Sequence, residues 1–230
     1  KEKTASRTVV QLTSSHITGP GCEKCSAGVE TNFVLESSNP GGVRIHKGGA
    51  KMQCTIHHLT MRTATDGTNK VEYVRNEGKR VNVDDMMNGS YVFTYTVDQA
   101  GEYDAVISSA GQTRVVKISC RAAELDPTKC SVEALDEDHV WSAGDVLFVK
   151  VLCHDRFGNA VPPPKNGDAG VDFVLIADGE GPSMVEAEIT NHESGVHAIA
   201  KFRATAVGKY SLRIFTADVS RQWWGGVQRD

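Results

Sequence analysis

The chain has 230 residues and a net charge of −4, with 40% hydrophobic and 23% charged residues. That length fits two domains of ~100–150 residues. The absence of a long Lys/Arg run argues against a nucleic-acid partner, and the longest apolar stretches fall short of the ~20 residues a helix needs to cross a bilayer.

In chain order, short runs rich in Val, Thr, Ile, Tyr and Phe predict strands near 8–13, 29–37, 50–58, 70–75, 79–84, 90–97, 102–108 and 113–119. A second set is predicted near 129–135, 145–153, 170–177, 184–190, 196–203 and 208–216, with one more at 219–224. Helix-period segments are absent. About seven short strands per hundred residues, punctuated by Gly, Asn and Asp, predict an all-β fold of two tandem immunoglobulin-like Greek-key sandwiches. Period-two alternation points Phe33, Leu35, Met52, Cys54, Ile56, Tyr91, Phe93, Tyr95, Tyr103, Val149, Val151, Phe173, Leu175, Phe202, Tyr210 and Leu212 inward.

The two sets are copies. Gly101-Glu102-Tyr103 and Gly208-Lys209-Tyr210 hold equivalent places, 107 positions apart, and the blocks before them keep their order while their loops differ in length. The expected division is residues 1–121, with an inserted loop near 59–70, and residues 126–230. Gly101 and Gly208 are read as turn glycines, and Tyr103 and Tyr210 as tyrosines packed back on those turns, a structural corner without chemistry.

No catalytic constellation emerges, and no cofactor is implied. His57 and His58 are adjacent on a strand and point to opposite faces, which is poor geometry for one metal. Asp84-Asp85 and Asp136, Glu137, Asp138 fall in predicted turns, where carboxylates solvate loops more often than they bind calcium. Cys22 and Cys25 form a single Cys-x-x-Cys without the second pair that a zinc site needs. The six cysteines leave the redox compartment open: Cys130 and Cys153 are a candidate disulfide in an extracellular setting. Asn88-Gly-Ser is a glycosylation sequon in that same setting and otherwise ordinary turn chemistry.

The stretches "GPGCEKCSAGVETNFVLESSNPGGVRIHKGGAKMQCTI" and "NGSYVFTYTVDQAGEYDAVI" resemble the filamin-type immunoglobulin-like repeat. They share its Gly-Pro-Gly opening, its Ala-Gly before the second strand, its Gly-Gly before the third and its Gly-x-Tyr corner. The second copy, from "DPTKCSVEAL", lacks Gly-Pro-Gly and carries "HDRFGNAVPPP". The resemblance implies a non-catalytic protein-binding or spacer module in which repeats follow one another as a rod. It also implies partner peptides that add a strand in the groove between the third and fourth strands. Carried onto this sequence, that groove is walled by Met52, Cys54, Ile56, Val71, Tyr73 and Val74 in the first repeat. In the second it is walled by Val171, Phe173, Leu175, Met184 and Val185, with core filling as the alternative role for all of them. Two settings stay open. One is a cytoskeletal scaffold whose partners are proteins and neighbouring repeats. The other is a cell-surface adhesion ectodomain, as in plant and algal gamete attachment proteins that carry such repeats.

Overall fold

A computed structural model describes residues 10–63, 71–135, 141–164, 173–218 and 223–229. The chain divides into two compact units, Lys1–Arg121 and Ala122–Asp230. Both are built from strands; among the described residues helix is confined to single 3-10 turns at Pro20–Cys22 and Pro127–Lys129. No helix among them is long and apolar enough to cross a membrane.

In unit one, one sheet runs β1 (His16–Thr18), β3 (Thr31–Glu36), β8 (Ser90–Tyr95), β7 (Asn82–Asp85). The other runs β2 (Lys24–Ser26), β10 (Gln112–Arg121), β9 (Gly101–Ser109), β4 (Gln53–Thr63). Two further strands, β5 (Val71–Arg75) and β6 (Lys79–Arg80), pair with β4. Every ladder is antiparallel except β2 with β10. Alternation puts one face of each strand inside. Phe33, Leu35, Tyr91 and Phe93 from one sheet meet Cys54, Ile56, Ala105, Ile107 and Ile118 from the other, all at most 3% exposed. Phe33 and Phe93 stack with ring centroids 4.8 Å apart.

Unit two repeats the plan. One sheet is β11 (Ser131–Ala134), β12 (Val146–Leu152), β15 (Ala198–Ala204), β14 (Val185–Asn191). The other is β13 (Phe173–Glu180), β16 (Ser211–Asp218), β17 (Trp223–Arg229). Val149, Val151, Phe202 and Ile214 form its core, with Tyr210 and Leu212 half-buried. In strand order β11, β12, β15 and β14 correspond to β1, β3, β8 and β7, while β13, β16 and β17 correspond to β4, β9 and β10. This is the all-β, immunoglobulin-like tandem architecture expected from the pattern.

The strand expected near 8–13 does not form where it is described. Residues 10–13 are coil and turn, although Val10 and Leu12 are buried. Side chains take the place of a ladder there: the Gln112 amide accepts from Leu12 N at 3.0 Å and donates to Val10 O at 3.1 Å, and the Arg114 guanidinium donates to Leu12 O at 2.9 Å.

The corners are alike in the two units. Tyr103 donates its hydroxyl to Gln99 O and Tyr210 to Ala206 O, both at 2.8 Å and both four residues back. Gly101 has φ +136°, and a Cβ there would stand 2.7 Å from His58 Nε2; at Gly208 it would stand 2.4 Å from a Pro182 ring carbon. Tyr103 is 4% exposed. Tyr103→Phe is expected to cost unit one about 1 kcal/mol for the lost hydrogen bond. Tyr103→Ala is expected to cost ~3–5 kcal/mol for the cavity. Calorimetry of the two variants checks both steps.

Asp155 organises the start of unit two. It is fully buried, and its carboxylate accepts from Ala123 N at 2.7 Å, Phe157 N and Asn159 N at 2.9 Å each, and Asn159 Nδ2 at 2.8 Å. Burial pushes its pKa up, but these hydrogen bonds outweigh burial and hold it below the ordinary carboxylate value. A depressed folded pKa means the unfolded chain binds the proton first as pH falls. The stabilisation is therefore whole above the ordinary carboxylate range and is lost as pH drops through the folded value. Asp155→Ala is expected to destabilise unit two by at least ~3 kcal/mol at neutral pH. Its unfolding, followed by denaturant titration, is expected to lose part of the acid sensitivity of the parent.

Candidate functional site

A strand at the edge of a sheet presents unpaired backbone N–H and C=O groups, so the outer edges of β4 and β13, the strands against which the expected grooves lie, are the ones to compare. In unit one that edge is taken by the chain itself. Thr55 and Ile56 of β4 face Arg80 and Lys79 of β6, and Leu59 to Thr63 face Arg75 to Val71 of β5. The segment expected as an inserted loop near 59–70 is in its described part a continuation of β4, answered by β5. Residues 64–70 lie outside the described residues.

The sequence-derived groove of the first repeat is therefore spread over different surroundings. Cys54 and Ile56 are 1% and 3% exposed and fill the core. Burial drives the Cys54 thiol up to about 12. Met52 is half-buried just before β4, Val74 is half-buried on β5, and Val71 and Tyr73 stand out at 60% exposure each. Tyr73 lies directly across from Met61, itself 68% exposed. Met61 belongs to this apolar face, although its flanking polar residues disguise it in the sequence.

The base of the β4–β5 arm is held by charge. Asp104 on β9 is 2% exposed. It meets Arg75 Nε at 2.7 Å and Nη2 at 2.6 Å, and Lys117 Nζ at 2.6 Å. Burial raises its pKa, yet the hydrogen bonds and charges of Lys117 and Arg75 prevail and keep it below the ordinary value. Arg75→Ala is expected to loosen the arm by roughly 1 kcal/mol, the guanidinium being nearly half in water. Hydrogen exchange is expected to speed up at 59–63 and 71–75 while the core strands of unit one stay protected.

In unit two the two facing edges stay open among the described residues. β13 pairs with β16 and β14 pairs with β15. They are consecutive strands on opposite sheets, joined by residues 181–184, and the Val185 side chain sits against the Gly179 backbone, where a Cβ would come within 2.8 Å. The Gly179 N–H bonds the Asp178 carboxylate at 2.8 Å. Of the residues assigned to this groove, Phe173 and Leu175 lie on β13, Met184 is 85% exposed in the connection, and Val185 is half-buried at the start of β14. Val171 lies outside the described residues. Beside the groove a cavity of about 470 Å³ opens between the sheets, walled by Trp141, Leu147, Val185, Phe202, Tyr210 and Leu212.

The remaining candidates separate cleanly. His57 Nδ1 contacts Asn76 O at 2.9 Å, while His58 packs on Tyr103 with ring centroids 4.9 Å apart. Asp85 accepts from Gly49 N at 2.6 Å and Met87 N at 2.8 Å, and Asp84 accepts from Asn82 Nδ2. Residues 136–140, with the other acidic cluster, lie outside the described residues. No group of three or more His, Cys, Asp or Glu that could hold a metal occurs among the described residues. Asn88 is exposed in a tight turn, its side-chain oxygen accepting from Ser90 N. Cys130 and Cys153 stand next in register after the Ser131–Leu152 pair of the β11–β12 ladder. Their thiols hydrogen-bond, which brings Cys130 down to about 7 against the effect of its burial and pushes Cys153 up.

Residues 9–117, just under half of the chain, match the Filamin/ABP280 repeat. Among curated proteins none matches this sequence significantly. Among solved structures the fold is similar to that of invasin, a bacterial integrin-binding protein, with 13% identity and a TM-score of 0.52, over 90% of this chain and 37% of that one. It is also similar to InvD of Yersinia pseudotuberculosis, with 14% identity and a TM-score of 0.50, over 95% of this chain and 57% of that one. The chain thus spans less than two thirds of the length of either.

Proposed function

We propose that this chain is a non-catalytic protein-binding and spacer module of a larger scaffold, taking extended partner peptides by strand addition on unit two. The observation that carries this reading is the contrast between the third strands: β4 has its outer edge covered by β5 and β6, and β13 has none of its described length covered on that side. An added strand gains backbone hydrogen bonds from the edge and specificity from alternate side chains placed in the groove.

Two features define the peptide. Because the Gly179 N–H is turned to Asp178 rather than given to β16, the period of two puts the polar groups of Ala177 and Leu175 on the open edge as well. The rim is acidic. Asp178 and Glu180 share Arg213 across the β13–β16 ladder, and on β14 Glu186 is exposed while Glu188 pairs with Lys201 at 3.7 Å. An extended segment alternating apolar residues with Lys or Arg fits both.

The test is selection of a random peptide library on the 230-residue chain, followed by affinity measurements on variants. Selected peptides are expected to slow amide exchange at Leu175, Ala177 and Gly179. Ala177→Pro, which deletes an edge donor, is expected to weaken them more than tenfold while leaving the unit folded. Val185→Pro, at the first position of β14, serves as the companion. Loss only in the Val185 variant moves the site to the edge of β14, and full binding by both folded variants removes strand addition.

A second reading, a cell-surface adhesion ectodomain, is favoured by one observation: two pairs of cysteines stand side by side in the ladders or their continuation, Cys25 with Cys120 and Cys130 with Cys153.

A further inference from the structure

The parallel pairing of β2 with β10 sets Cys25 directly opposite Cys120. Neighbouring strands lie about 4.8 Å apart, inside the ~4.4–6.8 Å range of Cα separations that a disulfide spans. Both side chains point into the sandwich, at 9% and 4% exposure, so they share one face. Their thiols already hydrogen-bond each other, and that contact, opposed by burial, brings the Cys25 pKa down. Cys22, half-exposed in the preceding 3-10 turn, bonds Gly19 O at 3.0 Å instead.

We propose that Cys25 and Cys120 are a redox clasp that closes into a disulfide and takes unit one out of the path of tension along the chain. The oxidant is a small-molecule disulfide such as oxidised glutathione. The Cys25 thiolate attacks one of its sulfurs and releases a first glutathione thiolate. The Cys120 thiolate then attacks Cys25 Sγ and releases the second. Two cysteine thiols are oxidised, one disulfide is reduced to two thiols, and the two protons given up by the cysteines end on glutathione. Access is through β2, a three-residue strand at the edge of its sheet.

The position of the bridge determines its effect. Cys25 lies near the start of unit one and Cys120 one residue before its end. Once β1 has come away from β3, and residues 10–12 from Gln112 and Arg114, a pull on the chain from both sides passes through the sulfurs and bypasses the strands from β3 to β9. The closed loop of about 95 residues also removes much of the entropy of the unfolded unit. The second pair, Cys130 and Cys153, encloses only β11 and β12, so it fastens a strand without relieving the rest of its unit.

The test uses the full chain, equilibrated in glutathione buffer with the oxidised form in excess, digested without reduction and mapped by mass spectrometry. A Cys25–Cys120 cross-link is the expected product. The oxidised protein is expected to melt in unit one at least about 10 °C above its reduced form. That difference is expected to vanish in Cys25→Ser and in Cys120→Ser. Under force applied through tags at the two ends, reduction is expected to add roughly 310–340 Å of released length. A cross-link joining Cys22 to Cys25, or free thiols at Cys25 and Cys120 in the folded oxidised chain, overturns the proposal. So does equal released length in both redox states, even where the bridge is present.

Discussion

The outer edge of the third strand is the constraint on which the rest of this molecule turns. Backbone polar groups there need partners, and the two units meet that need differently. Unit one lengthens β4, folds β5 and β6 against it, and then needs an anchor for the resulting arm, which it finds in the buried Asp104 carboxylate between Arg75 and Lys117. Unit two joins β13 to β14 in four residues, and no strand among the described residues pairs with the outer edge of β13. An open edge invites unwanted pairing, and acidic side chains are a known way to discourage it. Asp178, Glu180, Glu186 and Glu188 occupy the positions where such protection is useful.

How far this was legible in the sequence depends on whether burial is one-sided. Phe33, Leu35, Tyr91, Phe93, Val151 and Phe202 could be placed because strands with one dry face alternate visibly, and all six are at most 3% exposed. The β4–β5 arm has water on both faces over much of its length, so Met61 sits among Thr and Arg without contrast and 59–63 reads as part of a polar loop, whereas the apolar run around Tyr73 reads as a strand at 70–75. The segment at 10–13 misleads in the opposite sense. Its apolar residues are buried, but Gln112 and Arg114 side chains satisfy its backbone, a long-range arrangement that no local pattern contains. Period two also says that Cys54 and Ile56 face one way, but not whether that side is a groove or a core. The neighbouring sheet decides it.

The duplication with its loop differences explains why one fold supports two kinds of third strand. Corner, strand order and core are shared because each is needed to close a sandwich: Tyr103 and Tyr210 tie the same bond four residues back. Connections are free to diverge because they cross the surface. The match to the Filamin/ABP280 repeat falls on unit one, although that unit carries the covered edge, whereas the edge of β13 is unpaired among the described residues of unit two. Family likeness and the exposure of a strand edge are therefore separate properties of the two units.

The terminal strands differ between units in a way that bears on mechanics. Chain enters β2 at its N-terminal end and leaves β10 at its C-terminal end, and the two strands run parallel in the same sheet. Once β1 has come away from β3, tension on the two sides of unit one slides β2 along β10, so the hydrogen bonds between them are stressed together rather than one after another. In unit two β11 runs antiparallel to β12, and no strand among the described residues pairs in parallel with β17. The shear geometry and the Cys25–Cys120 pair thus occur at the same place, on the same two strands. A three-residue ladder is short for resisting force by hydrogen bonds alone, and a covalent link at its centre acts in the direction in which the ladder is pulled.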